Sequence, residues 1–147
     1  MRKAIYLDMD GTIANLYAVD NWLEQLRAFN PEPYAEAEPL VRMASLARLL
    51  NALQSRGDHI AIVSWLSKES TPEYDEAVTL AKMAWLQAHL PSVHFDEVVI
   101  VAYGTPKSEV VAYPEGILFD DESRNRWEWK GEAYDPEFLL DLLRDLL

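Results

Sequence analysis

Residues 5–12 read Ile-Tyr-Leu-Asp-Met-Asp-Gly-Thr: an apolar run broken off by two carboxylates, a glycine and a hydroxyl. The run has the pattern of a buried strand, and the acids mark where it must stop. Alternate residues of an extended chain share a face, so Asp8 and Asp10 can aim at one point just past the strand end. Two acids that close stay ionised together only with a cation between them or a proton shared. A nucleophilic carboxylate beside a general acid, with a metal ion between them, is the direct chemical use of such a pair. The plainer alternative is a polar strand end whose acids cap a turn or helix.

The rest of the chain repeats the theme of apolar strands alternating with helical patterns. Residues 3–7 read as the first strand, 59–63 as the second, 98–101 as the third and 116–119 as the fourth, with an edge strand at 132–134. Between them, 21–29 reads as a short helix and Asn30-Pro31-Glu32-Pro33 as a breaker cluster. Pro39 suits the first turn of a helix running to about residue 54. Leu40, Met43, Leu46, Ala47, Leu50 and Leu53 form its apolar stripe, and Gly57 ends it. Ser70-Thr71-Pro72 precedes a helix over 73–89, stopped by Pro91. A short helix lies near 123–129, and Asp135-Pro136 opens a last one with Phe138, Leu139, Leu142, Leu143 and Leu146 toward the core.

This alternation predicts an α/β fold: a Rossmann-like parallel sheet with helices on both faces. At 147 residues it is expected to be one domain, 1–147, large enough for a real core. A small helical insertion is expected at about 15–38, after the first strand. Ligands of such sheets bind beyond the carboxyl ends of the strands, where the strand order reverses.

At those ends the sequence places polar residues in a fixed order. The first strand runs into Asp8, and Ile60-Ala61-Ile62-Val63 runs into Ser64. Gly104-Thr105-Pro106-Lys107 follows the third strand, and Ile117-Leu118-Phe119 runs into Asp120-Asp121. An Asp-x-Asp-Gly-Thr motif, a Ser or Thr, a Lys and an acidic pair, in that order, resemble the four motifs of the haloacid dehalogenase (HAD) phosphohydrolase superfamily. The resemblance spans about residues 3–122.

It implies a Mg²⁺-dependent phosphomonoesterase working through an aspartyl-phosphate. Asp8 would attack phosphorus, and Asp10 would protonate the leaving oxygen and then deprotonate the attacking water. The backbone carbonyl of Asp10 would face the metal. Gly11 would permit the sharp turn after the acids, and Thr12 would hold Asp10 through its hydroxyl; both belong to the phosphate-binding set. Ser64 would donate to a phosphoryl oxygen, and Lys107 would offset the charge shared by Asp8 and the phosphate. With Asp8 and Asp10, Asp120 and Asp121 would complete the Mg²⁺ site. Which of that pair binds directly, and which steadies Lys107, stays open.

Three features narrow the reading. Asp10 argues for phosphoryl transfer over dehalogenation. The absence of lysine between Lys3 and Lys68 argues against the Schiff-base chemistry of phosphonate-cleaving relatives. The segments Ser70-Thr71-Pro72-Glu73-Tyr74 and Lys82-Met83-Ala84-Trp85-Leu86, with Phe119-Asp120-Asp121-Glu122-Ser123-Arg124, resemble the small phage and bacterial 5'(3')-deoxyribonucleotidase-like members. The insertion is shorter than theirs, and Trp65 takes the place of a smaller residue. Lys82 reads as a helix-surface lysine, with reach to the phosphate as the alternative.

Tyr17, Trp22, Phe29, Tyr34 and Trp65 either stack on a nucleobase or pack the insertion onto the core, the second being the reading favoured for any one of them. Arg124, Asn125 and Arg126 either touch substrate or start a solvated helix, Trp127 and Trp129 read as packing residues, and the three histidines lack ligand spacing. The expected partner is a small-molecule phosphomonoester, with a nucleoside monophosphate first.

Charge and composition set the outer bounds. The net charge is −12, from 13 basic and 25 acidic residues with no basic cluster. That argues against a nucleic-acid partner and counts against the enzymatic alternative, a polynucleotide 3'-phosphatase. No apolar run is long enough to span a membrane, and the amino-terminal stretch does not read as a signal peptide. Absence of cysteine excludes disulfides and thiolate sites and fits a cytoplasmic enzyme. A non-catalytic binding module on the same fold would be expected to have lost one of these side chains, and a phosphotransferase would differ only in its acceptor.

Overall fold

The computed structural model describes residues 2–147; Met1, at the head of the amino-terminal stretch read above, lies outside them. The central element is β1 (Ala4–Leu7), four residues that are all buried. It is flanked by β4 (His59–Trp65) and β6 (Ile117–Phe119), and these by β5 (Glu97–Val101) and β7 (Ala133–Tyr134). The five strands form one sheet of order β5-β4-β1-β6-β7. Every pairing is parallel: Tyr6 lies opposite Ala61 on one side and Leu118 on the other. The chain winds outward from β1 in one direction and then the other, so the strand order reverses between β1 and β6. Asp8 and Asp120 leave the sheet on either side of that crevice.

Side chains alternate between the two faces of the sheet. Ile5, Leu7, Ile60, Ile62, Ile117 and Phe119 enter the larger core. It is closed by α3 (Met43–Ser55), the second half of α4 (Pro72–His89) and α6 (Leu139–Leu146). Ala4, Tyr6, Ala61, Val63 and Leu118 face the other way, against Trp129, Val110 and Val111. That face is thinner: the segment after β5 and the end of α5 (Ser123–Glu128) cover it.

A second, antiparallel pair joins β2 (Ala14–Asn15) to β3 (Glu38–Pro39). Between them lie a 3₁₀ turn at Leu16–Ala18, α1 (Trp22–Arg27) and α2 (Glu32–Glu36). This segment packs on the first half of α4 through Leu16, Tyr34, Tyr74 and Val78. Helix α4 starts where Thr71 accepts the Tyr74 amide and Pro72 takes the first turn, which needs no donor.

Four details depart from the sequence reading. Pro39 pairs as a strand residue, and α3 starts only at Met43. Leu40 therefore lies outside that helix and is exposed; its amide instead binds the Ile13 carbonyl at 2.8 Å. The breaker cluster contains the start of α2, because proline is compatible with a first helical turn. Phe138 sits in a 3₁₀ turn before α6 and is half exposed, and Trp127 is 89% exposed, whereas Trp129 packs. Among the described residues no helix is long and apolar enough to cross a membrane.

Candidate functional site

The loop after β1 is built around one carbonyl. The amides of Thr12, Ile13 and Ala14 all point to the Met9 oxygen at 3.0–3.1 Å, so the chain reverses within five residues. Gly11 sits at the apex with φ +81°, a left-handed conformation that L side chains rarely adopt. A Cβ there would lie 2.1 Å from the Asp121 carboxylate. Glycine thus lets the β1 and β6 loops approach until their acids meet.

Thr12 locks that approach. Its hydroxyl donates to Asp8 Oδ2 at 3.0 Å and accepts the Asp121 amide at 3.2 Å. The sequence reading had it holding Asp10; the tight turn carries the hydroxyl back to Asp8 instead. The other Asp8 oxygen accepts from Lys107 Nζ at 2.9 Å, and the same ammonium reaches Asp120 Oδ2 at 2.6 Å. Burial alone would lower the Lys107 pKa, but the two carboxylates outweigh it and hold the ammonium charged.

The two acids after β6 divide their work. Asp120 is fully buried, and protein donors occupy both of its oxygens: the Glu122 amide on Oδ1, and Lys107 and Asn125 on Oδ2. Its backbone carbonyl accepts from Arg126 at 2.9 Å. Asp120 therefore steadies Lys107. Asp121 Oδ1 is buried with no hydrogen-bond partner among the described residues, a costly state for a carboxylate. Burial and then the charge of Asp8 push Asp120 up to about 6 and Asp121 up to about 8. One oxygen from each of Asp8, Asp120 and Asp121 falls within a 4.8 Å cluster.

Asp10 lies apart from that cluster and has its own cation. Its Oδ2 accepts from Lys82 Nζ at 2.8 Å. Burial raises the Asp10 pKa, with Lys82 opposing and Asp8 reinforcing the rise. Lys82 is the main correction to the sequence reading: it is 1% exposed and sits beneath the site, not on the helix surface. Its ammonium also reaches Ser64 Oγ and the Trp65 carbonyl, each at 2.7 Å. The signal was present in the sequence. Tyr74, Val78, Lys82 and Leu86 follow one another at four-residue spacing, so Lys82 occupies the apolar stripe of α4. The two lysines reach the strand ends from opposite faces of the sheet. Ser64 continues the Ile60–Ile62 face under α4, and Asp8 continues the Ala4–Tyr6 face under the Lys107 segment.

Above these groups opens a cavity of about 490 Å³, with Asp8, Asp10, Lys107 and Asp121 on its floor. Tyr17, Trp22, Tyr34, Trp65 and Tyr103 are in its walls. Tyr17 stands edge-on to Trp22 at 4.9 Å, and Trp65 tilts against Tyr103 at 4.8 Å. The Trp65 indole donates to the Thr105 carbonyl at 2.7 Å, tying the end of β4 to the Lys107 loop. Phe29 is not part of the cavity; it packs on Tyr74 at 5.5 Å. Ser64 is fully buried beneath the floor and does not line it. Of Arg124, Asn125 and Arg126, the last two bind Asp120, while Arg124 sits 5.9 Å over the Trp65 ring.

Four carboxylates thus meet two ammonium groups at and beneath the floor of this cavity. With all four ionised, two negative charges are left over, and Asp121 Oδ1 has no hydrogen-bond partner among the described residues. A divalent cation with oxygen ligands fits both the charge and the donor set. Comparison with protein-family models and with curated proteins yields no match.

Proposed function

We propose that this chain is a Mg²⁺-dependent phosphomonoesterase of the HAD type, acting through an aspartyl-phosphate on a small phosphomonoester. The observation that carries the reading is the floor of the cavity. There Asp8 has one oxygen on Lys107 and the other on Thr12, and Asp10 and Asp121, whose Oδ1 lacks a partner among the described residues, stand beside it. A carboxylate fixed by two donors at the base of an open cavity is placed as a nucleophile, with little reorganisation left for the reaction.

In the first displacement an Asp8 carboxylate oxygen bonds to phosphorus as the bond to the leaving oxygen breaks. Asp10, carrying a proton, gives it to that oxygen. In the second, the ionised Asp10 takes a proton from water as the water oxygen attacks phosphorus. The acyl-phosphate bond then breaks, returning Asp8 and releasing phosphate. Burial of Asp10 favours its protonated form at the first step, and Lys82 supports its ionised form at the second. Lys107 balances charge shared between Asp8 and the transferring group.

Mg²⁺ would be held by Asp8 and Asp121, with Asp120 behind them, and would supply charge neutralisation at the phosphoryl oxygens. The aromatic walls suit a planar leaving group, and a nucleoside monophosphate is the first candidate. The test is phosphate release from a panel of 5'- and 3'-nucleotides, sugar phosphates and aryl phosphates. Each would be run with Mg²⁺ and with chelator, beside Asp8→Asn. Metal-dependent release that the variant lacks supports the reading; release unchanged in Asp8→Asn refutes it.

A further inference from the structure

Lys82 has no part in the reaction as written above beyond its charge, yet its geometry is among the most constrained in the molecule. An ammonium has three hydrogens. All three are committed, to Asp10 Oδ2, Ser64 Oγ and the Trp65 carbonyl, at 2.7–2.8 Å. The side chain does not line the cavity, and the Tyr34 ring closes over the ammonium at 5.1 Å. No hydrogen is left for a substrate, so direct phosphate binding is not its role.

The three acceptors reveal what it does. Binding Oδ2 fixes the plane of the Asp10 carboxyl and leaves Oδ1 as the oxygen that exchanges protons. The bonds to Ser64 Oγ and the Trp65 carbonyl anchor the ammonium to the end of β4.

We propose that Lys82 is a positioning residue: it presents Asp10 for proton transfer to the leaving oxygen. This rests on the phosphomonoesterase reading of the site. Its consequence is specific to the leaving group. An alkoxide must be protonated as it departs, whereas 4-nitrophenolate departs readily without a proton. In the first displacement, loss of Lys82 therefore harms the first class of substrate far more than the second.

The test compares kcat/KM, which reports the steps up to departure of the leaving group and not the later hydrolysis of the aspartyl-phosphate, for an alkyl phosphate and for 4-nitrophenyl phosphate in the wild type, Lys82→Met, Lys82→Gln and Lys82→Arg. Circular dichroism would confirm the fold of each. Lys82→Met is expected to lose about 10²-fold on the alkyl ester, the usual worth of a general acid. It is expected to lose less than about a tenth as much on the nitrophenyl ester. Lys82→Arg, which keeps the charge, should recover part of the alkyl rate. Should Lys82→Met fail to fold, Lys82→Gln carries the same comparison, because its amide keeps hydrogen-bond donors without the charge.

Equal losses on both esters, or no loss on either, overturn the positioning role while the phosphomonoesterase reading stands. A wild type that releases phosphate from neither these esters nor the wider panel overturns that reading, and the role of Lys82 with it.

Discussion

Replacing Asp121 with asparagine should make the metal-free protein more stable. Oxygens of Asp8, Asp120 and Asp121 come within 4.8 Å of one another. At that distance two full negative charges repel by about 3.5 kcal/mol at an effective dielectric of ~20. The protein relieves part of this by keeping a proton on Asp121, whose pKa rises to about 8 through burial and the charge of Asp8. A carboxyl raised in the folded state is a liability that grows with pH. Below the ordinary carboxylate range near 3.8 it costs nothing; from there through about pH 8 the unfolded chain ionises more readily, and stability falls.

Asp121 is partly exposed, so solvent screens the effect, and a net gain of about 2 kcal/mol at pH 7 is a fair magnitude for Asp121→Asn. In a chain of this size that is roughly 4–8 °C in Tm. The assay is thermal denaturation in chelator at pH 5, 7 and 8. The gain should widen steadily across that range, and Mg²⁺ should raise the Tm of the wild type but not of the variant. A variant no more stable than the wild type, or a gain independent of pH, would refute the electrostatic reasoning.

Other substitutions test separate joints of the site. Thr12→Val keeps the shape but leaves the Asp121 amide without its acceptor and Asp8 Oδ2 without its donor. It should cost about 1–3 kcal/mol in chemical denaturation. Lys107→Met leaves two buried carboxylates without their cation; a loss of about 3–5 kcal/mol is expected in chelator, with Mg²⁺ restoring part of it. Gly11→Ala would drive a methyl group onto the Asp121 carboxylate, and the expected result is at least a tenfold weaker apparent Mg²⁺ affinity in titrations of melting temperature. Trp127→Ser, at an exposed position, should shift stability by no more than about 0.5 kcal/mol; a larger loss would mean that the indole has a partner.

The sheet was legible because its strands are short apolar runs that end in unmistakable polar residues, and parallel strands buried on both faces have that pattern. The meeting of Asp8, Lys107 and Asp120 followed from the same ends. Pro39 was misread because proline is equally at home in the first turn of a helix and in a two-residue edge pair; only the Ala14–Asn15 partner decides between them. Thr12 was assigned to the wrong acid because its reach depends on how the loop closes over the Met9 carbonyl, which no local pattern encodes. Lys82 was readable and missed: its residue type says surface, but its spacing says core, and the acid, hydroxyl and carbonyl that reconcile the two come from distant segments. The division of labour between Asp120 and Asp121 was not readable. It turns on Asn125 and a backbone amide that approach one carboxylate and not its neighbour.

The short antiparallel pair of β2 and β3 has a consequence beyond its size. Because Ala14–Asn15 and Glu38–Pro39 lie side by side, everything between them leaves the sheet and returns to it through a single doorway. The chain between those posts can lengthen, shorten or be exchanged for a foreign segment at small entropic cost. The strands carrying the acids need not move. Selectivity toward what enters the cavity and the chemistry at its base are thus separately heritable, with one toll at the crossing: any replacement must again supply a ring or its equivalent over Lys82, where Tyr34 now sits.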